Sequence, residues 1–222
     1  MSDHVRALRS LSRGQELTVD YFRGKAAVPV IEALMAYERD LFEGFAAARE
    51  GRAEDARRKA EDAAAVWPKS ARARLGRAAS LEEALVRLRA EVLLLEGKPA
   101  EAIALIDTQF RPHISGYGAI PFLGYLFLNF PLDQDTVPRA CIKMEDIDKA
   151  IAAYQKLFTF DPKRQDRRLH IPVYHYRLGK LYEQKGMKGE ARAEYRKLLD
   201  DWKDADPDIP ELVDAKKRLA AL

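Results

Sequence analysis

Apolar and polar positions along this chain follow the three- and four-residue spacing of half-buried helices. Ala150, Tyr154 and Leu157 share one such face, as do Ala191 and Tyr195, and again Leu212, Ala215, Leu219 and Leu222. The pattern is punctuated at recurring places. Gly51-x4-Ala56, Gly97-x4-Ala102 and Gly186-x4-Ala191 repeat one spacing, and Glu145-x4-Ala150 repeats it without the glycine. Glycine ends a helix by entering the left-handed cap conformation at no steric cost. The alanine then marks where the next helix crosses closest to the first, because a larger side chain would push the pair apart. Four residues on, Ala60, Ile106, Tyr154 and Tyr195 lie one turn further along the same face. Pro68 and Pro162 follow Ala56 and Ala150 by twelve residues and stop the second helix. Each repeat therefore predicts a helix, a tight turn and an antiparallel helix.

Composition sharpens this reading. The 222 residues are 47% apolar, 33% charged and 9% aromatic, too much buriable surface for a globally disordered chain. Alanine (34) and leucine (26) dominate, against 4 threonines, so helix formers are used and strand formers avoided. The net charge of +3 is far from the strong field of a dedicated nucleic-acid binder. Basic residues are also not interleaved with aromatic stacking platforms, so nucleic acid is not expected as a partner. The single cysteine, Cys141, excludes an intramolecular disulfide framework and any multi-cysteine zinc site. Met1 to Asp20 lacks the apolar core of a secretory signal. The most apolar stretch, Ala119 to Phe130, falls well short of the roughly twenty residues needed to cross a bilayer and reads as a buried helix. These features describe a cytoplasmic, mostly helical protein with no membrane insertion.

The last repeat is the most complete. It runs His175-x2-Leu178-Gly179-x2-Tyr182, then Gly186, then Ala191-x3-Tyr195. This resembles the tetratricopeptide pattern W-x2-L-G-x2-Y followed by A-x3-F, with His175 at the tryptophan place. The first repeat carries Gly44, Gly51, Ala56, Ala63 and Pro68 at matching offsets; Ile147 to Pro162 supplies a good second helix behind a degenerate first one. The resemblance implies an all-α fold, an α-α solenoid of antiparallel helical hairpins wound as a superhelix. The anchor alanines at 56, 102, 150 and 191 lie further apart than the family period of 34, which requires irregular inter-repeat insertions. Candidates are Lys69 to Leu81, Phe110 to Pro121 with Pro131 to Pro138, and Lys163 to Pro172. Residues 1–31 then form an N-terminal helical or linker segment, and residues 32–222 the array. The last helix, about 210–222, caps the final apolar face. Residues 160–222, through Tyr174 to Gly186 and Trp202 to Pro207, also resemble the repeat arrays that end multidomain bacterial proteins behind a signalling kinase or another enzymatic module.

Motifs for chemistry are missing. Ile114-Ser115-Gly116 lacks the leading glycine of a nucleophile elbow. Gly24-Lys25 and Gly97-Lys98 are followed by Ala26 and Pro99, not by the residues of a phosphate loop. His170 and His175, five apart with Pro172 between, do not share a helix face for a metal, and His175 reads as a packing substitute for the family tryptophan. Cys141 reads as core. Glu82–Glu83 and Asp200–Asp201 are adjacent and point to different helix faces, so they form no acid–base pair. No catalytic residue, metal or cofactor is expected. Charge is locally uneven. Lys69, Arg72, Arg74, Arg77, Arg87 and Arg89 make one basic stretch, Lys163, Arg164, Arg167, Arg168 and Arg177 a second, and Asp200 to Asp208 an acidic one.

In the family the first helix of each hairpin lines the concave face that holds a peptide or partner helix. Carried over, this names Glu38, Leu41 and Phe45 in the first repeat, Arg87 and Glu91 in the second, and Val173, Tyr176, Arg177, Lys180 and Gln184 in the last. Lys180 and Arg177 suit an acidic peptide through charge-assisted hydrogen bonds. The expected function is a non-enzymatic protein- or peptide-binding scaffold with a regulatory or assembly role. One alternative is an oligomerisation or regulatory module of a larger signalling kinase or enzyme system, dimerising through Ala119 to Phe130. The other is a helical enzyme using His113, His170 or Cys141.

Overall fold

A computed structural model describes residues 28–66, 79–109, 135–158 and 171–222. Among these residues there are nine helices and no strands: α1 (Val28–Arg49), α2 (Ala53–Val66), α3 (Ala79–Leu95), α4 (Pro99–Gln109), α5 (Thr136–Lys143), α6 (Ile147–Phe158), α7 (Val173–Gln184), α8 (Lys188–Asp201) and α9 (Pro210–Ala221). They fall into two compact units, α1–α4 and α5–α9. In the first, α1 packs on α2 and α3 on α4, while α3 also lies against both α1 and α2. In the second, the hairpins α5/α6 and α7/α8 meet through α6 and α7, and α9 covers α8 and α7.

The hairpin turns share one backbone solution. Gly51, Gly97 and Gly186 adopt φ of 75°, 75° and 73°, and Glu145 adopts φ of 61° at the glycine-less place. In each turn two amides reach back over the end of the first helix. Arg52 donates to the Ala47 carbonyl, Lys98 to Leu93, Asp146 to Cys141 and Met187 to Tyr182, at 2.9–3.0 Å. These bonds occupy carbonyls that a helix end leaves without partners. Glu145 shows that the turn geometry outlasts the loss of its preferred residue, at the steric cost a side chain meets in the left-handed region.

Past each turn, Ala56, Ala102, Ala150 and Ala191 are all fully buried, as close helix crossings require. A turn later Tyr154 and Tyr195 are equally buried. Gly179 of α7 shows how tight the last crossing is, since a Cβ there would stand 2.7 Å from Cε1 of Tyr195. The first unit is centred on Tyr37, Leu41, Phe45, Ala60, Ala63, Ala84 and Leu88. The second buries Tyr154, Tyr174, Leu178, Leu181, Tyr182, Tyr195 and Leu198, and α9 adds Leu212 and Ala215. Pro210 opens α9 at its first turn, where a missing amide proton is not needed.

Two sequence expectations change in detail. The insertion assigned to Pro131 to Pro138 overlaps the start of α5, which begins at Thr136 and contains Pro138. Proline is tolerated there because the first-turn amides of a helix have no intrahelical acceptor. The degenerate first helix of that hairpin is a helix of 8 residues. The remainder of that insertion, most of the Lys69 to Leu81 and Lys163 to Pro172 insertions, and the Ala119 to Phe130 segment lie outside the described residues. So do His113, His170 and residues 1–27.

Candidate functional site

The ten candidate positions separate by unit. On α1, Glu38, Leu41 and Phe45 are 3%, 0% and 6% exposed, and on α3 Glu91 is buried while Arg87 is half-buried. Leu41 and Phe45 belong to the core cluster with Tyr37 and Leu88, so their side chains present nothing to solvent. Glu38 is a carboxyl in the same interior. Its Oε1 has no hydrogen-bond partner among the described residues, and burial pushes its pKa up to about 7.

On α7 the arrangement is different. Tyr174, His175, Leu178, Gly179, Leu181 and Tyr182 turn inward. That leaves Val173, Tyr176 and Arg177 half-buried and Lys180 and Gln184 exposed on the remaining stripe, the three-to-four spacing of a single helix face. The Lys180 ammonium stands 5.3 Å from the centroid of the Tyr176 ring, a cation–π contact. Lys180 makes no ion pair with another described residue.

Arg177 is committed elsewhere. Its guanidinium pairs with Asp135 and lies 5.7 Å from the Tyr174 ring centroid. Asp135 is fully buried just before α5. It also accepts from the Tyr154 hydroxyl at 2.6 Å and from Arg139 Nε at 3.0 Å. Burial alone would raise the Asp135 pKa; the Arg177 and Arg139 charges and the Tyr154 bond outweigh it and hold the carboxyl below its ordinary value. This network joins α5, α6 and α7 through one carboxylate.

Tyr176 is likewise engaged. Its hydroxyl donates to Asp214 Oδ2 of α9 at 2.7 Å. Burial and that bond push its pKa up to about 12. Arg218 Nε donates to the same Asp214 oxygen at 2.5 Å, and its second nitrogen reaches Glu183 of α7 at 2.6 Å. The bonds from Arg218 and Tyr176 hold the Asp214 carboxyl below its usual range, with the Lys180 charge adding to the effect.

His175 is an internal residue. It stacks on Phe158 with ring centroids 4.1 Å apart, and its Nδ1 lies 2.6 Å from Oε2 of Glu194. An aromatic ring with one anchored nitrogen thus fills the place expected for tryptophan. Cys141 is buried. Among the described residues no group of His, Cys, Asp and Glu is arranged to hold a metal ion, and no helix is long and apolar enough to cross a membrane.

Asp135, Asp214 and Arg218 were not among the sequence candidates. Each aspartate is followed four residues later by the arginine it bonds, Arg139 and Arg218. That i,i+4 spacing is the signal that the sequence offered.

The tetratricopeptide repeat model matches residues 139–164 and 173–200, which correspond to the α5/α6 and α7/α8 hairpins. A search of curated proteins and a search of solved structures gave no match.

Proposed function

We propose that the tetratricopeptide repeats this chain carries serve to bind an acidic segment of another protein, with a scaffold role in regulation or assembly. Repeats of this family are protein-interaction modules, and the face their helices leave to solvent is the natural binding surface. In the second unit that face is the α7 stripe. The observation that carries the reading is Lys180, an exposed ammonium over the Tyr176 ring that makes no ion pair within 4 Å with another described residue. A carboxylate arriving there gains a charge-assisted hydrogen bond from Lys180, while Gln184 one turn away supplies an amide to a peptide backbone. Tyr176 gives a rigid apolar surface beneath Lys180, of the kind that anchors interfaces.

The test is a titration of the full chain with a fluorescein-labelled hexaglutamate peptide, read by anisotropy at low and at physiological salt. Binding that weakens with salt, and at least about tenfold in Lys180→Glu from replacing attraction by like-charge repulsion, supports the reading. Equal binding by Lys180→Glu and the wild type refutes it.

A further inference from the structure

The α7 stripe already faces a carboxylate, and it belongs to the same chain. Asp214 of α9 accepts the Tyr176 hydroxyl proton at 2.7 Å. It lies close enough to Lys180 for that charge to act on it. We propose that Asp214 is a built-in acidic occupant of the Tyr176–Lys180 face, so that α9 and an acidic partner compete for the same two side chains. This inference rests on the function proposed above.

The competition follows from the donor inventory. A tyrosine hydroxyl has a single proton to donate, and Asp214 takes the one on Tyr176. Lys180 has three, yet a second carboxylate brought to it meets Asp214 beside the same ring, and like charges in a shared site repel. The seat of α9 is suited to exchange. Only Leu212 and Ala215 are buried along its 12 residues. Two side-chain hydrogen bonds tie it to α7: Tyr176 to Asp214, and Arg218 to Glu183. A partner that replaces Asp214 leaves Arg218 still paired with Glu183 at 2.6 Å, so the helix loses one contact and not its whole attachment. Binding in the native chain is therefore weaker than the α7 face alone supports, by the cost of displacing this internal acid.

The alternative is that Asp214 simply pins the cap. The two differ in sign. We would measure hexaglutamate binding to the full chain for the wild type, Asp214→Asn and Lys180→Glu, and follow hydrogen exchange of residues 210–221 with and without saturating peptide. The asparagine keeps the shape of the seat and an acceptor for Tyr176 while removing the charge, and circular dichroism checks that it folds. The expected result is about tenfold tighter binding by Asp214→Asn, the size of removing one close like-charge contact. In the wild type, saturating peptide should speed exchange in α9. Unchanged or weaker binding by Asp214→Asn overturns the inference and leaves the α7 reading in place, as does exchange in α9 that peptide leaves unchanged or slows. Absence of binding by both the wild type and Asp214→Asn overturns the α7 reading, and this inference with it.

Discussion

Glu38 gives the sharpest thermodynamic prediction. The side chain sits in α1 at 3% exposure with no hydrogen bond to Oε1 from any described residue, and burial moves its pKa from the ordinary 4.5 to about 7. Each tenfold change in a protonation equilibrium is worth 1.36 kcal/mol, so this displacement amounts to about 3 kcal/mol. The direction follows from linkage. Between pH 4.5 and 7 the folded state binds a proton that the unfolded state has lost, so stability falls as pH rises through that window. Below 4.5 both states hold the proton and the cost vanishes; above 7 the folded state carries a buried carboxylate and the cost is complete. Glu38→Gln removes the titration while keeping the shape. The stability difference between variant and wild type, from urea unfolding, should therefore be about 3 kcal/mol more favourable to the variant at pH 8 than at pH 4.5. Other titrating groups are common to both proteins and cancel. A difference that is the same at the two pH values would refute the reasoning, because it would mean that Glu38 titrates as an exposed carboxyl.

Two further outcomes concern the second unit. Gly179→Ala should lower the melting temperature, although alanine is the better helix former by about 1 kcal/mol. The added Cβ would stand 2.7 Å from the buried Tyr195 ring, and overpacking of this kind costs about 1–3 kcal/mol; a raised melting temperature would show that the ring has room to move. Asp135→Ala and Arg177→Ala should each destabilise the protein, the first by about 2–3 kcal/mol because it removes the acceptor shared by Arg139, Arg177 and Tyr154. The double variant should cost less than the sum of the two by about 1 kcal/mol or more in urea unfolding, whereas strict additivity would mean that the Arg177–Asp135 pair is not formed.

The hairpins were legible because local rules fix them. A left-handed residue followed five positions later by alanine found all four turns, the glycine-less one included. The spacing of Leu212 and Ala215 found α9. Those signals need only the neighbouring turn of helix. The fate of the candidate side chains depends on something a helical period does not carry, namely which faces of a helix are covered. A helix enclosed on most sides shows the same three-to-four spacing as one with an open stripe, so Leu41 and Phe45 were read as groove residues although they lie in the core. Arg177 was read as a ligand contact for a related reason. Its charge was visible in the sequence, but its partner Asp135 is 42 residues away, and nothing local joins the two. The start of α5 was obscured by Pro138, a residue that breaks a helix in its middle and is harmless in its first turn.

Register therefore locates positions, and the packed neighbours decide what each position does. Six residues before each left-handed turn residue stand Phe45, Glu91, Arg139 and Lys180. The first two are buried, and the third is bonded to Asp135. Lys180 alone among these four is exposed on α7. The distinction matters for charge. Of the two cations that the sequence offered to an acidic partner, Lys180 and Arg177, the second is paired with Asp135; Arg218 of α9, which the sequence did not single out, is paired with Glu183 and Asp214. What α7 presents outward is then a single ammonium on an aromatic ring, flanked by a carboxylate from α9. A surface of that kind selects weakly by total charge and more strongly by whether a partner's carboxylate can reach Lys180 past Asp214. The proposed specificity is thus set by the C-terminal helix as much as by the repeat it covers.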